Sequence, residues 1–299
     1  MQRYLPVAAL AAAALLVAVV VATSGADKPR AGDAGAVART QGATLHKPKR
    51  ESAAGAVNGA AQSTQPTAKV SGPHDELVPI LMYHVTKAAP AGTPYPELWV
   101  SPQDFKGQMN WLAENGYTGI TMKRLFDYWD DGYALPGKPV VISFDDGYPS
   151  HDKVARPVLA KHGWPGVLFV ELNNVGSPDT GFTASMVRDL IAAGWEIDSH
   201  TVAHPDLTTI GPERLKFELT ASRKRIKREY GVPADFFCYP AGRYNATVVV
   251  AVKRAGYRGA ATTVQGAGAP GRPFELKRVR IDGTDGVSGF AAKMRQAGR

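Results

Sequence analysis

The stretch VVISFDDGYPS, residues 140–150, decides the fold. Its apolar half has the length and the β-branched content of a buried strand. Two adjacent carboxylates, Asp145 and Asp146, follow at once, and Gly147 comes after them. Neighbouring carboxylates at a strand end repel each other unless a cation lies beside them. The stretch therefore predicts a buried strand that ends at a cation-binding point.

Outward from this strand, strand-like and helix-like segments alternate as far as the C-terminus. Strands are predicted at 78–85, 138–147, 166–170, 195–199, 236–240, 257–263 and 276–281. Helices are predicted at 102–115, 153–162, 183–193, 212–230, 245–256 and over the last dozen residues. Apolar strands that alternate with helices indicate a mostly parallel sheet with helices packed outside it. The fold class is α/β, and a closed or distorted (β/α) barrel is favoured over an open sheet.

The N-terminal quarter of the chain differs in composition from the rest. Residues 1–26 hold a long apolar run after Arg3, which predicts either a cleaved signal peptide or an uncleaved membrane anchor. Residues 27–74 contain almost no large apolar residue, so a disordered linker is expected there. The formal net charge is +8 at pH 7, and most of the basic excess lies in this N-terminal quarter. The linker either contacts an anionic wall or membrane surface or is simply solvated.

Residues 75–299 are therefore expected to form the folded domain of an exported protein. The sequence contains one cysteine, Cys238, so no internal disulfide stabilises the fold. A nucleic-acid partner is not expected, because no motif combines basic and aromatic residues.

The polar residues that matter follow the predicted strands. Asp145 and Asp146 follow one strand, and His84, His200 and Tyr239 each lie at the end of another. In parallel α/β folds the carboxyl ends of the strands meet at one edge, where ligands bind. We therefore expect these side chains to converge.

The segment DSHTVAH places two histidines, His200 and His204, four residues apart. Side chains at this spacing point the same way on a helical turn or a turn-like loop, so both imidazoles can bind one cation. Singly, each signal has a plainer interpretation: surface histidines, an Asp-Gly turn, or a histidine in a core strand. Together they indicate a metal site in which one aspartate is a ligand and the other a base.

The chain resembles the polysaccharide deacetylases of carbohydrate esterase family 4, which share the NodB homology domain. The resemblance covers residues 78–283 and lies in SFDDG (143–147), HTVAH (200–204) and FCYPAGRYN (237–245). It implies a distorted (β/α) barrel of the NodB type and a divalent metal, Zn²⁺ first and Co²⁺ or Ni²⁺ as alternatives. It also implies roles for individual residues: Asp145 as general base, Asp146, His200 and His204 as metal ligands, and the backbone N–H of Tyr239 as oxyanion donor.

The chain departs from the family pattern at two positions. Many members carry an arginine where Cys238 stands here, and Arg278 is either its replacement, orienting the base, or a surface strand residue. Cys238 itself is expected to be a buried strand residue and not a nucleophile. The family's L-x-x-H motif lies near the C-terminus, whereas here Leu81-Met82-Tyr83-His84 opens the domain.

This displaced motif is similar to that of a permuted subgroup, which deacetylates poly-N-acetylglucosamine exopolysaccharides. In a barrel the first and last strands are neighbours, so His84 is expected to be the general acid, with a structural histidine as the alternative.

The expected function is exported, metal-dependent N-deacetylation of an N-acetylglucosamine polymer. Exopolysaccharide is the first substrate, peptidoglycan the second, and chitin fragments or O-acetylated xylan follow. The rivals are a non-catalytic carbohydrate-binding protein on the same fold and a metal-dependent amidase or protease. The HExxH motif of a zinc protease helix is absent from the sequence. The expected partners are the acetylated polysaccharide and, through the N-terminal segment, the cell wall or membrane surface.

Overall fold

The structure is a computed structural model and describes residues 68–297. Its strands are β1 Ile80–Tyr83, β2 Thr118–Ile120, β3 Pro139–Asp146, β4 Val167–Val170, β5 Glu196–Ser199, β6 Phe236–Cys238, β7 Gly259–Gln265 and β8 Leu276–Arg280. Its helices are α1 Pro102–Glu114, α2 Met122–Asp131, α3 Arg156–Ala160, α4 Ala184–Ala192, α5 Pro212–Tyr230, α6 Ala246–Arg254 and α7 Gly286–Ala297.

The predicted signal peptide or anchor, residues 1–26, and the predicted linker as far as residue 67 lie outside the described residues. Among residues 68–297, no helix combines the length and apolarity that a bilayer crossing requires.

The last part of the predicted linker contacts the domain. Lys69 pairs with Tyr133 in an antiparallel bridge, and the Val70 N–H donates to the Gly132 carbonyl at 2.9 Å. The packed chain therefore includes residues before the predicted boundary at residue 75.

Seven parallel strands close into a barrel. They follow one another in the order β1, β8, β7, β6, β5, β4 and β3, and β3 pairs back with β1. β2 lies outside this ring and pairs with β3. The pairing of β7 with β8 is irregular between Ala261 and Gln265. The predicted distorted (β/α) barrel is confirmed, and β1 lies beside the last strand as expected.

One end of the barrel interior is apolar and is covered by α2. Four apolar residues of α2 recur at helical spacing and pack with inward-facing strand residues: Met122, Leu125, Phe126 and Trp129. Thr121 caps the helix, since its hydroxyl accepts the Arg124 N–H at 3.0 Å. Neither β2 nor α2 is among the predicted elements. Full burial of each of the four apolar α2 side chains stabilises the fold by about 1.5–3 kcal/mol.

The outward-facing strand residues pack under the remaining helices. Leu81, Ile142 and Phe144 belong to a core shared with α1, α4 and α7, and Phe237 belongs to one shared with α5 and α6. Both faces of the sheet are thus filled with apolar side chains. The carboxyl ends of the strands are where polar residues concentrate, and they define the candidate site.

Candidate active site

Six of the predicted site residues have their side chains together at the carboxyl end of the barrel. They are His84, Asp145, Asp146, His200, His204 and Arg278. They come from the ends of β1 and β3, from the loop after β5 and from β8. Each of the three histidines and the arginine has a side-chain nitrogen within 4 Å of a carboxylate oxygen of Asp145 or Asp146.

Asp146 faces two imidazoles. Its Oδ1 lies 3.5 Å from His200 Nε2 and 3.7 Å from His204 Nε2. Both separations are too long for charge-assisted hydrogen bonds, which are about 2.7–2.9 Å. They suit ligands that share one cation, because tetrahedral ligands about 2.0–2.1 Å from zinc lie roughly 3.3 Å apart. These three donor atoms therefore fit a divalent metal.

The backbone fixes the orientation of His200. Its Nδ1–H donates to the Cys238 carbonyl at 2.8 Å, which leaves the Nε2 lone pair directed towards Asp146. Burial lowers the pKa of His200 to about 4, although Asp145 and Asp146 oppose that shift. The ring is thus neutral near pH 7, in the protonation state and tautomer that bind a metal.

Asp145 is paired with a buried arginine. Arg278 Nη1 and Nη2 donate to its two carboxylate oxygens, each at 2.7 Å, and Arg278 is fully buried. The surface-strand interpretation of Arg278 is therefore wrong. Burial alone would raise the pKa of Asp145, but the Arg278 guanidinium outweighs it and holds that pKa well below its usual range. Asp145 is a carboxylate at all ordinary pH values, and its plane is fixed by a bidentate pair.

A second group of metal-binding atoms overlaps the first, namely Asp145, His200 and Cys238. It is a poor cation site for two reasons. Both oxygens of Asp145 are already bonded to the Arg278 cation. Burial also raises the pKa of the Cys238 thiol well above its usual value, which disfavours the thiolate that a metal would need. The group centred on Asp146 is therefore the better candidate for a cation site.

We expect Cys238 to be unreactive while the protein is folded. The side chain is fully buried, and Arg278 Nη2 lies 3.2 Å from its sulfur. Treatment of the native protein with a chromogenic disulfide reagent should leave the thiol unmodified for hours, and modification should become stoichiometric in denaturant. Complete reaction of the native protein within minutes would contradict the buried placement.

His84 lies beside the same carboxylate. Its Nε2 is 3.9 Å from Asp145 Oδ2, and its side chain is 16% exposed, so one edge of the ring is open to solvent. The His84 carbonyl accepts the Nε2–H of His151, which is fully buried. Burial lowers the pKa of His151 to about 4, so this second histidine is a neutral support.

The structure corrects the prediction for Tyr239. Its backbone N–H donates to the Ala261 carbonyl at 3.1 Å and so continues the pairing of β6 with β7. That N–H is not free to bind an oxyanion. The Tyr239 hydroxyl donates to the Phe274 carbonyl at 2.9 Å, and the ring stacks on Tyr244. Tyr239 is thus a core residue. Pro240 has no N–H, so the next one along the chain is that of Ala241.

Left-handed backbone conformations concentrate at the site. Among the described residues, six other than glycine have a positive φ. Four of these lie in the site segments: Asp146, Thr201, His204 and Ala241. Such conformations are unfavourable for residues with a Cβ and persist where the surrounding structure holds them. The strain indicates that the local geometry serves a function.

The sequence predictions omitted two polar residues of the site. The Tyr148 hydroxyl donates to Asp146 Oδ2 at 3.2 Å and helps to orient that carboxylate. Glu171 directly follows β4, and its N–H donates to the Asp146 carbonyl at 2.9 Å. Burial raises the pKa of Glu171 to about 7, with Asp146 adding to the shift and His204 opposing it. The position of Glu171 at a strand end was the signal that could have identified it.

Comparison with known proteins agrees with this geometry. The protein-family model described as polysaccharide deacetylase matches residues 132–260. That range holds the metal-site residues and Asp145 but neither His84 nor Arg278. The Bacillus subtilis protein YxkH, named as a polysaccharide deacetylase, is 31% identical over 72% of this chain and 74% of its own length.

Solved structures give the same result. A polysaccharide deacetylase from Bacillus cereus, BC0361, has a TM-score of 0.65 and 30% identity over 74% of this chain and 69% of its own. A second relative, found by sequence, is the poly-β-1,6-N-acetyl-D-glucosamine N-deacetylase of Escherichia coli K12, which is 23% identical over 74% of this chain. The present chain spans only 39% of that relative's length.

Proposed function

Because the chain belongs to the polysaccharide deacetylase family, we propose that it is a metal-dependent N-deacetylase of an N-acetylglucosamine polymer. The reaction is hydrolysis of an acetamide, in which water cleaves the C–N bond and releases acetate and a free amine. The observation that carries the proposal is that a candidate cation site and a fixed carboxylate lie side by side at one end of the barrel. Asp146 and two histidines form a cation site, and Asp145 beside it is a carboxylate fixed by Arg278.

The residues that would hold the metal are Asp146, His200 and His204, and Zn²⁺ is the ion that this donor set suits best. A bound divalent metal would polarise the acetyl carbonyl and make water more acidic.

Asp145 is the proposed general base. It is ionised and oriented before substrate arrives, and its Oδ2 faces His84. As water attacks the acetyl carbon, Asp145 accepts the proton that the water loses. Arg278 keeps the carboxylate in place and stays protonated. Burial alone would lower its pKa, but the Asp145 carboxylate opposes that effect and the pKa lies above the usual value.

His84 and Ala241 are proposed to complete the site. His84 follows β1, which lies between β3 and β8, and it donates a proton to the departing amine nitrogen. The Ala241 N–H, in the left-handed turn after β6, takes the role predicted for Tyr239 and donates to the oxyanion. Both roles use groups at the end of a strand, where the barrel is open.

Replacement of His84 by alanine should reduce acetate release from the polymer about a hundredfold or more. The same variant should lose much less activity on p-nitrophenyl acetate, because that phenolate departs without being protonated. His162 follows α3 and stacks on Trp164, so His162→Ala is the matched control and should leave both rates unchanged. Equal losses of the His84 variant on the two substrates would exclude a general-acid role.

The polymer can be identified by measuring acetate release from four substrates in parallel. Poly-β-1,6-N-acetylglucosamine is expected to be the best, since two relatives named for that activity match this chain at 23% and 27% identity. Peptidoglycan, chitin oligosaccharides and O-acetylated xylan are the comparison substrates. Faster release from xylan would favour an O-acetyl esterase, and release from none would favour a non-catalytic carbohydrate-binding protein.

We also propose that the protein is exported and held near the wall or membrane by its N-terminal segment. The support is the apolar run within residues 1–26 and the basic residues that follow it. Fractionation of cells that express the full chain tests this proposal. Recovery in the cytoplasmic fraction would contradict it.

A further inference from the structure

The turn that carries both histidine ligands is held by a buried carboxylate from α5. Glu218 is fully buried, and its Oε2 accepts the Val202 N–H at 2.8 Å and the Ala203 N–H at 3.1 Å. These two N–H groups belong to the residues between His200 and His204. A carboxylate that accepts two consecutive backbone N–H groups fixes the path of the chain at that point.

The turn needs such support because its backbone is strained. Thr201 has φ 72° and His204 has φ 50°, both in the left-handed region. Thr201 is β-branched, and such residues are especially disfavoured there. One bond inside the turn, from the His204 N–H to Thr201 Oγ1 at 2.8 Å, ties its two ends. A conformation of this kind persists only where surrounding groups hold it.

Further contacts join the same helix face to the end of β5. Ser199 Oγ donates to Ser222 Oγ at 2.8 Å, and Ser222 Oγ donates to the Glu218 carbonyl at 2.7 Å. The Thr201 N–H donates to Ser199 Oγ at 3.3 Å. One turn of α5 thus contacts the ligand segment both at the strand end and at the tip of the turn.

Arg214 pairs with the other carboxylate oxygen of Glu218. Its Nη2 lies 2.6 Å from Oε1, yet the angles are not those of a hydrogen bond, and Oε1 accepts none. The Arg214 side chain is half exposed, at 52%. Solvent reaches the Arg214 end of this pair, whereas the bonds from Glu218 to the turn are buried and set the path of its backbone.

We propose that Glu218 is a positioning residue of the metal site, which presets the separation and direction of His200 and His204 before a metal binds. The inference rests on the proposed function, because it assumes that these histidines are ligands. Helix α5 supplies no ligand, yet in this proposal it determines how tightly the loop after β5 binds the metal. Removing the carboxylate would leave two N–H groups of the turn without an acceptor and allow the strained backbone to relax.

The test is the dissociation constant of Zn²⁺, measured with the metal-free full chain by competition with a chromophoric chelator. Glu218→Ala should weaken Zn²⁺ binding about tenfold or more, the effect typical of groups that orient metal ligands. Glu218→Gln should bind Zn²⁺ within about threefold of the wild type, since its amide oxygen can still accept both N–H groups.

Leu219→Ala is the matched control. Leu219 is the next residue on α5, is buried in the apolar core with α6, and makes no hydrogen bond to the turn through its side chain. This variant should lower the unfolding temperature and leave the Zn²⁺ affinity unchanged. A merely structural role for Glu218 would give the same pattern, with lower stability and an unaltered dissociation constant, and would overturn the inference.

Two further outcomes are distinguishable. If Glu218→Ala does not fold, Glu218→Asp takes its place, because the shorter carboxylate cannot reach both N–H groups; wild-type affinity in that variant would also overturn the inference. If the wild-type protein binds no Zn²⁺, the proposed function fails and the inference with it. Zn²⁺ binding that is weakened in Glu218→Ala and Glu218→Asp, and in no other variant, supports the proposed function and the inference together.

Discussion

Asp145→Asn should reduce acetate release about a thousandfold while the metal remains bound. The three metal donor atoms come from other residues, so the cation site survives. The amide, however, cannot accept a proton from water, and general-base catalysis contributes about 10²–10⁴-fold. The measurements are the turnover rate and the zinc content of the purified variant, both below its unfolding temperature.

Asp198→Asn is the control for this substitution. Asp198 is also fully buried and lies on β5, where its Oδ1 accepts the Phe236 N–H at 2.9 Å. Burial raises its pKa well above the usual value, with Glu196 adding to the shift, and asparagine keeps an oxygen that can accept the Phe236 N–H. Activity near the wild-type level is expected. Normal turnover by Asp145→Asn would remove Asp145 from the role of base.

Arg278→Met should destabilise the folded protein by about 3–5 kcal/mol at pH 7. Methionine matches much of the arginine volume but leaves the Asp145 carboxylate buried without a cation, and breaking a buried pair from one side has an effect of that size. Arg280→Met is the control, since Arg280 is partly exposed and pairs with Asp282 near the surface. Its expected effect is below about 1 kcal/mol. Denaturant unfolding of the metal-free proteins measures both.

The effect of Arg278→Met should depend on pH. In the wild type the folded-state pKa of Asp145 lies below its ordinary value of 3.8, so the stability that this group provides is present above that pH and is lost as the pH falls below it. In the variant, burial without Arg278 raises the pKa of Asp145, and protonation at low pH relieves the buried charge. The stability difference between the two proteins should therefore shrink from pH 7 to pH 4.

The double variant Asp145→Asn with Arg278→Met provides a further check. It removes both charges, so it should be more stable than Arg278→Met alone. A stability difference between wild type and Arg278→Met that is independent of pH, together with no recovery in the double variant, would contradict the pairing.

The main strands were predictable because most of them are short apolar runs with a helix after them. β2 was missed because three residues are too few to show a period. α2 was predictable in principle, since its apolar residues recur at helical spacing after the cap Thr121. The helix predicted at 153–162 begins instead as a wider turn at His151–Ala155, which continues into α3. Hydrophobic period alone does not separate these two kinds of helical turn.

The candidate site was predictable to the extent that it lies at strand ends. Contacts between distant segments were not. Arg278 is far from Asp145 in sequence, and only the closure of the barrel brings the guanidinium to the carboxylate. Whether the Tyr239 N–H is free depends on its register against β7, which no local pattern specifies. Glu218 lies on a charged helix where nothing in the sequence distinguishes it from an exposed glutamate.

The most direct test of the account is a Zn²⁺ titration of the metal-free protein while acetate release from poly-β-1,6-N-acetylglucosamine is recorded. The account predicts no release without metal and a rate that rises with Zn²⁺ until one ion is bound per chain, as expected for the single site formed by Asp146, His200 and His204. A full rate in excess chelator would contradict it. So would stoichiometric binding of Zn²⁺ at these residues with no release from any acetylated polysaccharide.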